Sequence, residues 1–262
     1  STTTNNAVNL GIIQIIEGNN FVDFNWGTSY GIPATVSFWF KSNQTGFTSF
    51  GIRNEGIFTI TYTSPTLVYS TANVWQYYVI TVPPPPTGYS FGTGTSAGIG
   101  VYIGGYQGGQ TSANFSGGWL TGSAAFGYAN QIGYITTGNS FAITGAQFEK
   151  GTVGTPFEFR PIGTELELCQ RYFEVILDTS PTNTAWAMGT FSGGTANNLW
   201  FDYKIQKRIV PTIYSGSVTV PQGTLQQTLI ATNYISFTVS ADGTGKFYFN
   251  IGSFPLSVNA DF

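Results

Sequence analysis

Short runs of β-branched and aromatic residues, each closed by glycine, asparagine or proline, recur along the whole chain. The clearest is ATVSFWFK, residues 34–41. Side chains alternate across a strand, so Val36, Phe38 and Phe40 take one face while Thr35, Ser37 and Trp39 take the other. Runs of this kind at regular spacing, with turn residues between them, predict a sandwich or barrel. Composition agrees. Charged residues make up 8% of the 262, far below the roughly 25% of ordinary soluble domains. Thr, Ser, Asn, Gln and 34 glycines fill the deficit. Helix formers are sparse over most of the chain. The expected fold class is all-β: two β-sandwich, jelly-roll-like domains joined by a short helix.

Residues 8–24 read as two apolar runs turning at Gly18-Asn19-Asn20, with Trp26 just beyond as a lid on the core. Further strands are expected over 56–63, 74–82, 98–103 and 141–149. In the second of these Trp75 is expected in the core. Pro83–Pro86 cannot join a ladder and reads as an extended surface loop. The composition shifts over 163–171 (GTELELCQR), where Glu, Leu and Gln gather. Thr164 is placed as its N-cap, with Glu165 and Glu167 in the first turn, where the helix dipole favours acid. A second set of strands follows from Tyr172 onward.

Several functions are excluded. A net charge of −3 with no basic run excludes phosphate-backbone binding, so no nucleic acid partner is expected. No stretch of about 18 apolar residues offers a transmembrane helix, and no membrane insertion is expected. The single cysteine, Cys169, has no internal partner. The absence of histidine removes Ser-His-Asp and Cys-His nucleophiles and the imidazole base. Two carboxylates would suffice for glycoside hydrolysis, but no pair stands out, and no enzyme is expected.

Two landmarks carry a resemblance. One is WGTSYGIPATVSFWFKSNQTG at 26–46. The other is FAITGAQFEKGTVGTPFEFRPIGTELELCQRYFEV at 141–175, with FDYKIQKRIVPTIYSG at 201–216 following it. Together they resemble the C-terminal modules of bacteriophage tail-fibre and virion structural proteins. In those, a carbohydrate-binding-module-like jelly roll precedes a smaller β domain opened by a CQRYY-type segment, here CQRYF at 169–173. The family's acidic closing strand is matched only loosely by SVNADF at 257–262. The resemblance implies a jelly roll over 1–162 and a smaller trimerisation sandwich over 163–262. It also implies a homotrimer bound to other virion proteins, carried on the particle after assembly in the bacterial cytoplasm. The expected function is a tail or head fibre module contacting host-surface glycan. The alternatives are an architectural capsid decoration or spacer and, last, a glycan depolymerase.

Sugar faces stack on rings while hydroxyls seek hydrogen bonds, so aromatics in Gly-rich loops beside amides are the glycan candidates: Tyr106, Trp119 and Tyr128. Leu166, Leu168, Tyr172 and Phe173 are placed at the subunit interface. Trp39 is left to the outer face of its sheet or to an interface. The jelly-roll resemblance also implies room for a structural calcium at Glu17, Asp23 and Glu149, which otherwise read as solvated charges. No other cofactor is expected. Lys204, Lys207 and Arg208 read as a charged edge strand, or as partners of acids on a neighbouring subunit.

Overall fold

The computed structural model describes residues 9–65, 67–107, 117–122, 137–177, 186–191, 196–214, 223–241, 245–249 and 256–260. Every strand pair among them is antiparallel. The fold is all-β with one α-helix among the described residues. The chain divides into two compact units, Ser1–Glu158 and Phe159–Phe262.

In the first unit the strands are β1 (Asn9–Glu17), β2 (Ala34–Ser42), β3 (Gly46–Thr48), β4 (Phe50–Arg53) and β5 (Ile60–Thr63), followed by β6 (Leu67–Tyr69), β7 (Gln76–Val82), β8 (Ala97–Gln107), β9 (Gly118–Thr121) and β10 (Phe141–Lys150). They form a five-stranded sheet β1-β8-β4-β5-β9, a three-stranded sheet β10-β2-β7 and a small ribbon β3-β6. The two larger sheets share one core. Val36, Phe38 and Phe40 of β2 and Tyr78, Ile80 and Val82 of β7 meet Phe50, Ile52, Tyr62, Ile99, Val101 and Ile103 of the opposite sheet. The period-two face assigned to β2 is therefore its buried face, as alternation requires.

Phe21, Val22 and Phe24 do not continue as a strand. Two 3-10 turns replace it, Gly18–Asn20 and Val22–Phe24, with Phe21 as the cap between them and Asn25 closing the second in the left-handed region. The turns drop Phe21 and Phe24 into the core beside Trp26, whose indole N–H donates to the Ile32 carbonyl at 2.6 Å. Gly27 (φ 81°) is required there, because a Cβ would sit 1.9 Å from the Tyr89 carbonyl oxygen. Trp75 is also misplaced by the sequence reading. It precedes β7, is 41% exposed, and lies under the Lys41 ammonium rather than in the core.

The second unit holds α1 (Ile162–Gln170), β11 (Phe173–Leu177), β12 (Trp186–Phe191), β13 (Ala196–Asp202) and β14 (Thr212–Tyr214), then β15 (Gly223–Ile230), β16 (Tyr234–Ala241), β17 (Gly245–Phe249) and β18 (Leu256–Asn259). Its sheets are β11-β18-β14, β12-β17 and β13-β16-β15. The helix starts at Ile162, with Pro161 as N-cap and the Pro161 carbonyl accepting from the Glu165 N–H at 3.2 Å. Thr164 is thus inside the first turn and does not cap it. Proline suits this boundary because its fixed φ leads into the helix.

The basic segment is not a strand. Residues 203–211 form a loop. Lys207 is fully buried there, with its ammonium 2.6 Å from Glu174 Oε2 and also donating to the Gln170 carbonyl. Arg208 donates from Nε to the Ala260 carbonyl at 2.9 Å, and Ala260 N–H donates to Tyr172 O at 2.7 Å. The three stretches 169–174, 204–208 and 257–260 thus close on one another within a single chain.

Candidate functional site: an open aromatic sheet face

The outer face of β10-β2-β7 is divided into a covered half and an open half. The segment after β10 folds back over one half. Gly151 N–H donates to Pro33 O at 2.8 Å, Thr35 Oγ1 to Gly151 O at 2.8 Å, and Gly154 lies against Val79, Thr35 and Ser37. This cover explains why Thr35 and Ser37 are buried although they face away from the core. Gln147 fastens it, donating to Thr155 Oγ1 at 3.0 Å and accepting from the Glu158 N–H at 2.8 Å. Glu149 accepts from the Thr155 N–H and hydroxyl. Burial would raise its pKa, but the Thr155 and Gln147 hydrogen bonds win and hold it below the ordinary carboxylate value.

The other half is open and aromatic. Trp39 and Tyr77 sit opposite each other in the β2–β7 register, with ring centroids 5.0 Å apart and 38° between planes. Each is 42% exposed, and Trp75 is 41% exposed. Lys41 Nζ lies 5.8 Å from the Trp75 ring centroid. Thr144 pairs with Trp39 from β10 and is exposed. Beyond it the ladder slips between Thr144 and Gln147. Gly145 takes φ 57° in that bulge, and a Cβ there would touch Trp39 Cδ1 at 3.4 Å. A β-bulge re-aims side chains locally, and this one leaves space for the indole. The Tyr77 and Thr144 hydroxyls have no hydrogen-bond partner among the described residues. Exposed rings on one sheet face, two open hydroxyls and one ammonium form a surface suited to a polyhydroxylated ligand. The signal was present in the sequence. Once Tyr78, Ile80 and Val82 face inward, period two turns Tyr77 and Val79 outward, and the same parity carries Trp75 beside them.

The residues singled out from the sequence fare differently. Trp119 is on β9, not in a loop. Its ring packs against Trp26 at 5.2 Å and Tyr62 at 5.5 Å, and its indole N–H donates to Pro83 O at 2.8 Å. It therefore belongs to the edge of the core, and its polar atom is already taken. Tyr106 is on β8 opposite Leu10, though its side chain lies outside the described residues, as does Tyr128 entirely. Of the calcium candidates, Glu17 is buried, Asp23 pairs with Lys150 at 2.6 Å, and Glu149 is held by Thr155. No group of three metal-ligating side chains gathers among the described residues. In the second unit Leu166 (55%), Leu168 (44%) and Phe173 (48%) are exposed, Tyr172 is half-buried, and α1 buries none of its residues.

Two other features compete less well. Arg53, Glu55 and Tyr102 form a half-buried cluster on the five-stranded sheet. Tyr102 OH donates to Glu55 Oε2 at 2.7 Å, and the Arg53 guanidinium lies 3.0 Å from Glu55. Burial first, then the Glu55 bond, pushes the Tyr102 phenol well above its ordinary pKa. These groups satisfy one another and turn nothing toward a ligand. A cleft of about 220 Å³ between β1 and β10 is lined by Ile12, Ile16, Ile143 and Phe148, with amides only from Gln14 and Gln147. It has no charged lining. Compared with protein-family models and with curated protein sequences, the chain matches none.

Proposed function

We propose that this chain is a structural and adhesive module of a bacteriophage fibre, acting as a homotrimer on the virion and gripping a host-surface glycan through Trp39, Tyr77 and Trp75. The observation that carries the reading is the open aromatic half-face. Three large exposed rings lie on or beside one sheet face in a chain where 8% of residues are charged. An exposed cluster of rings on a monomer usually marks a binding surface. Here hydroxyls and an ammonium border it, which suits a sugar polymer better than a dry protein interface. The module binds and does not cleave. Its test is adsorption of the purified protein to host cells and to a glycan array. Trp39→Ala with Tyr77→Ala should lower binding at least tenfold while the far-ultraviolet spectrum stays that of a β-sheet. Adsorption unchanged in the double variant would overturn the reading.

The exposed apolar residues of α1 and β11 favour a second, architectural role for the other unit, in contact with further copies or other virion proteins. Imaging of the particle separates the two. A distal, solvent-facing position supports glycan contact, and a position beneath other appendages supports a spacer.

A further inference from the structure

We infer that the glycan taken by this face is acidic, with a carboxylate, phosphate or sulfate group set against Lys41. The inference rests on the glycan reading above and adds the class of ligand. Lys41 is two residues beyond Trp39 on β2, so both side chains stand on the outer face roughly 7 Å apart. Its ammonium is placed by the Trp75 ring, 5.8 Å away, and forms no ion pair among the described residues. It differs in this from two other lysines of the chain. Lys150 and Lys207 each have a carboxylate oxygen at 2.6 Å. Lys41 has an indole instead. The indole orients a cation without neutralising it, so the charge remains available to a ligand.

The surroundings favour an anion as well. Glu149, which shares the outer face, lies at the covered end opposite Thr35 and is held by Thr155. Asp23 is occupied by Lys150. Among the described residues the open half therefore presents one uncompensated positive charge next to three rings. A neutral sugar stacked on Trp75 would offer that ammonium hydroxyl oxygens but no counter-charge. A sugar carrying an acid group would stack and pair at once.

The experiment measures binding of the full chain to two acidic polymers, polygalacturonate and hyaluronate, and two neutral ones, dextran and galactomannan, alongside an array of acidic and neutral oligosaccharides. At about 20 mM salt the acidic ligands should bind roughly three- to tenfold more tightly than neutral ones. The margin should collapse near 1 M salt, where screening reaches about 3 Å. Lys41→Gln should erase the preference, Lys41→Arg should restore it, and Trp39→Ala should weaken both classes. Glycan binding with no acid preference, or a preference that survives Lys41→Gln, overturns this inference and leaves the glycan reading standing. Binding to no member of either class overturns the glycan reading itself.

Discussion

Lys207 shows how far a single residue departs from its local pattern. Next to Arg208 and near Lys204 it reads as surface charge, yet it is fully buried. Burying an ammonium costs several kcal/mol unless it is paired and hydrogen-bonded. Glu174 Oε2 and the Gln170 carbonyl meet it, and the Tyr203 ring lies 5.0 Å away. Glu174 in turn accepts from the Lys204 backbone N–H at 3.2 Å. Lys207→Met strands Glu174 without its counter-charge and should cost about 3–5 kcal/mol of unfolding free energy, read from denaturant curves of the second unit. Tyr203 should respond in the opposite direction. Its hydroxyl is buried with no hydrogen-bond partner among the described residues. Burial, and then the Glu174 charge, pushes its pKa from 10.0 up to about 12. A raised phenol pKa means full stability below about 10 and a loss as pH climbs through about 12. Tyr203→Phe keeps the ring, removes the unsatisfied oxygen, and should hold or raise stability while abolishing that alkaline loss. A clear destabilisation at pH 7 would show that the hydroxyl has a partner after all.

At the level of elements, period two was the reliable rule and strand ends were not. The alternation of β2 named its buried face correctly, because a half-buried antiparallel strand has no other way to hide Val36, Phe38 and Phe40. Phe21–Phe24 has the same composition, but Gly18-Asn19-Asn20 curls into a 3-10 turn, and the chain continues curling instead of pairing. β3, β4 and β6 are three or four residues long, and β3 and β4 include glycine, so they carry too little pattern to be seen in advance. The bulge in β10 was equally invisible, since only the register against β2 reveals it. Gly145 in that bulge is a testable joint between element and site. Alanine must hold φ near 57°, which costs about 1–2 kcal/mol, and its methyl would come into van der Waals contact with Trp39. Gly145→Ala should lower the thermal midpoint by several degrees and weaken glycan binding. Gly163→Ala in α1 is the control, because that position has no left-handed φ and a Cβ there meets nothing within 4 Å.

At the scale of the whole molecule the property to test is assembly. Leu166, Leu168 and Phe173 are exposed in the single chain, and apolar groups of this size are the kind that subunit contacts cover. Replacing Leu166 and Leu168 by Asp should shift light-scattering mass from trimer toward monomer at micromolar concentration. The 203–211 loop should keep its protection from hydrogen exchange in that variant. A wild-type chain that is already a stable monomer would remove the trimer from the proposal. The sequence by itself determined the all-β class, the inner face of β2 and the helix near residue 163. Each of these depends on residues close in the chain, where backbone sterics and side-chain period decide the outcome. Tertiary structure decided the rest. It took Lys207 inside, set Trp119 against the edge of the core, left Trp75 outside, and placed Trp39 beside Tyr77. Those outcomes depend on which distant strand or loop arrives next to each residue, and no local pattern contains that information.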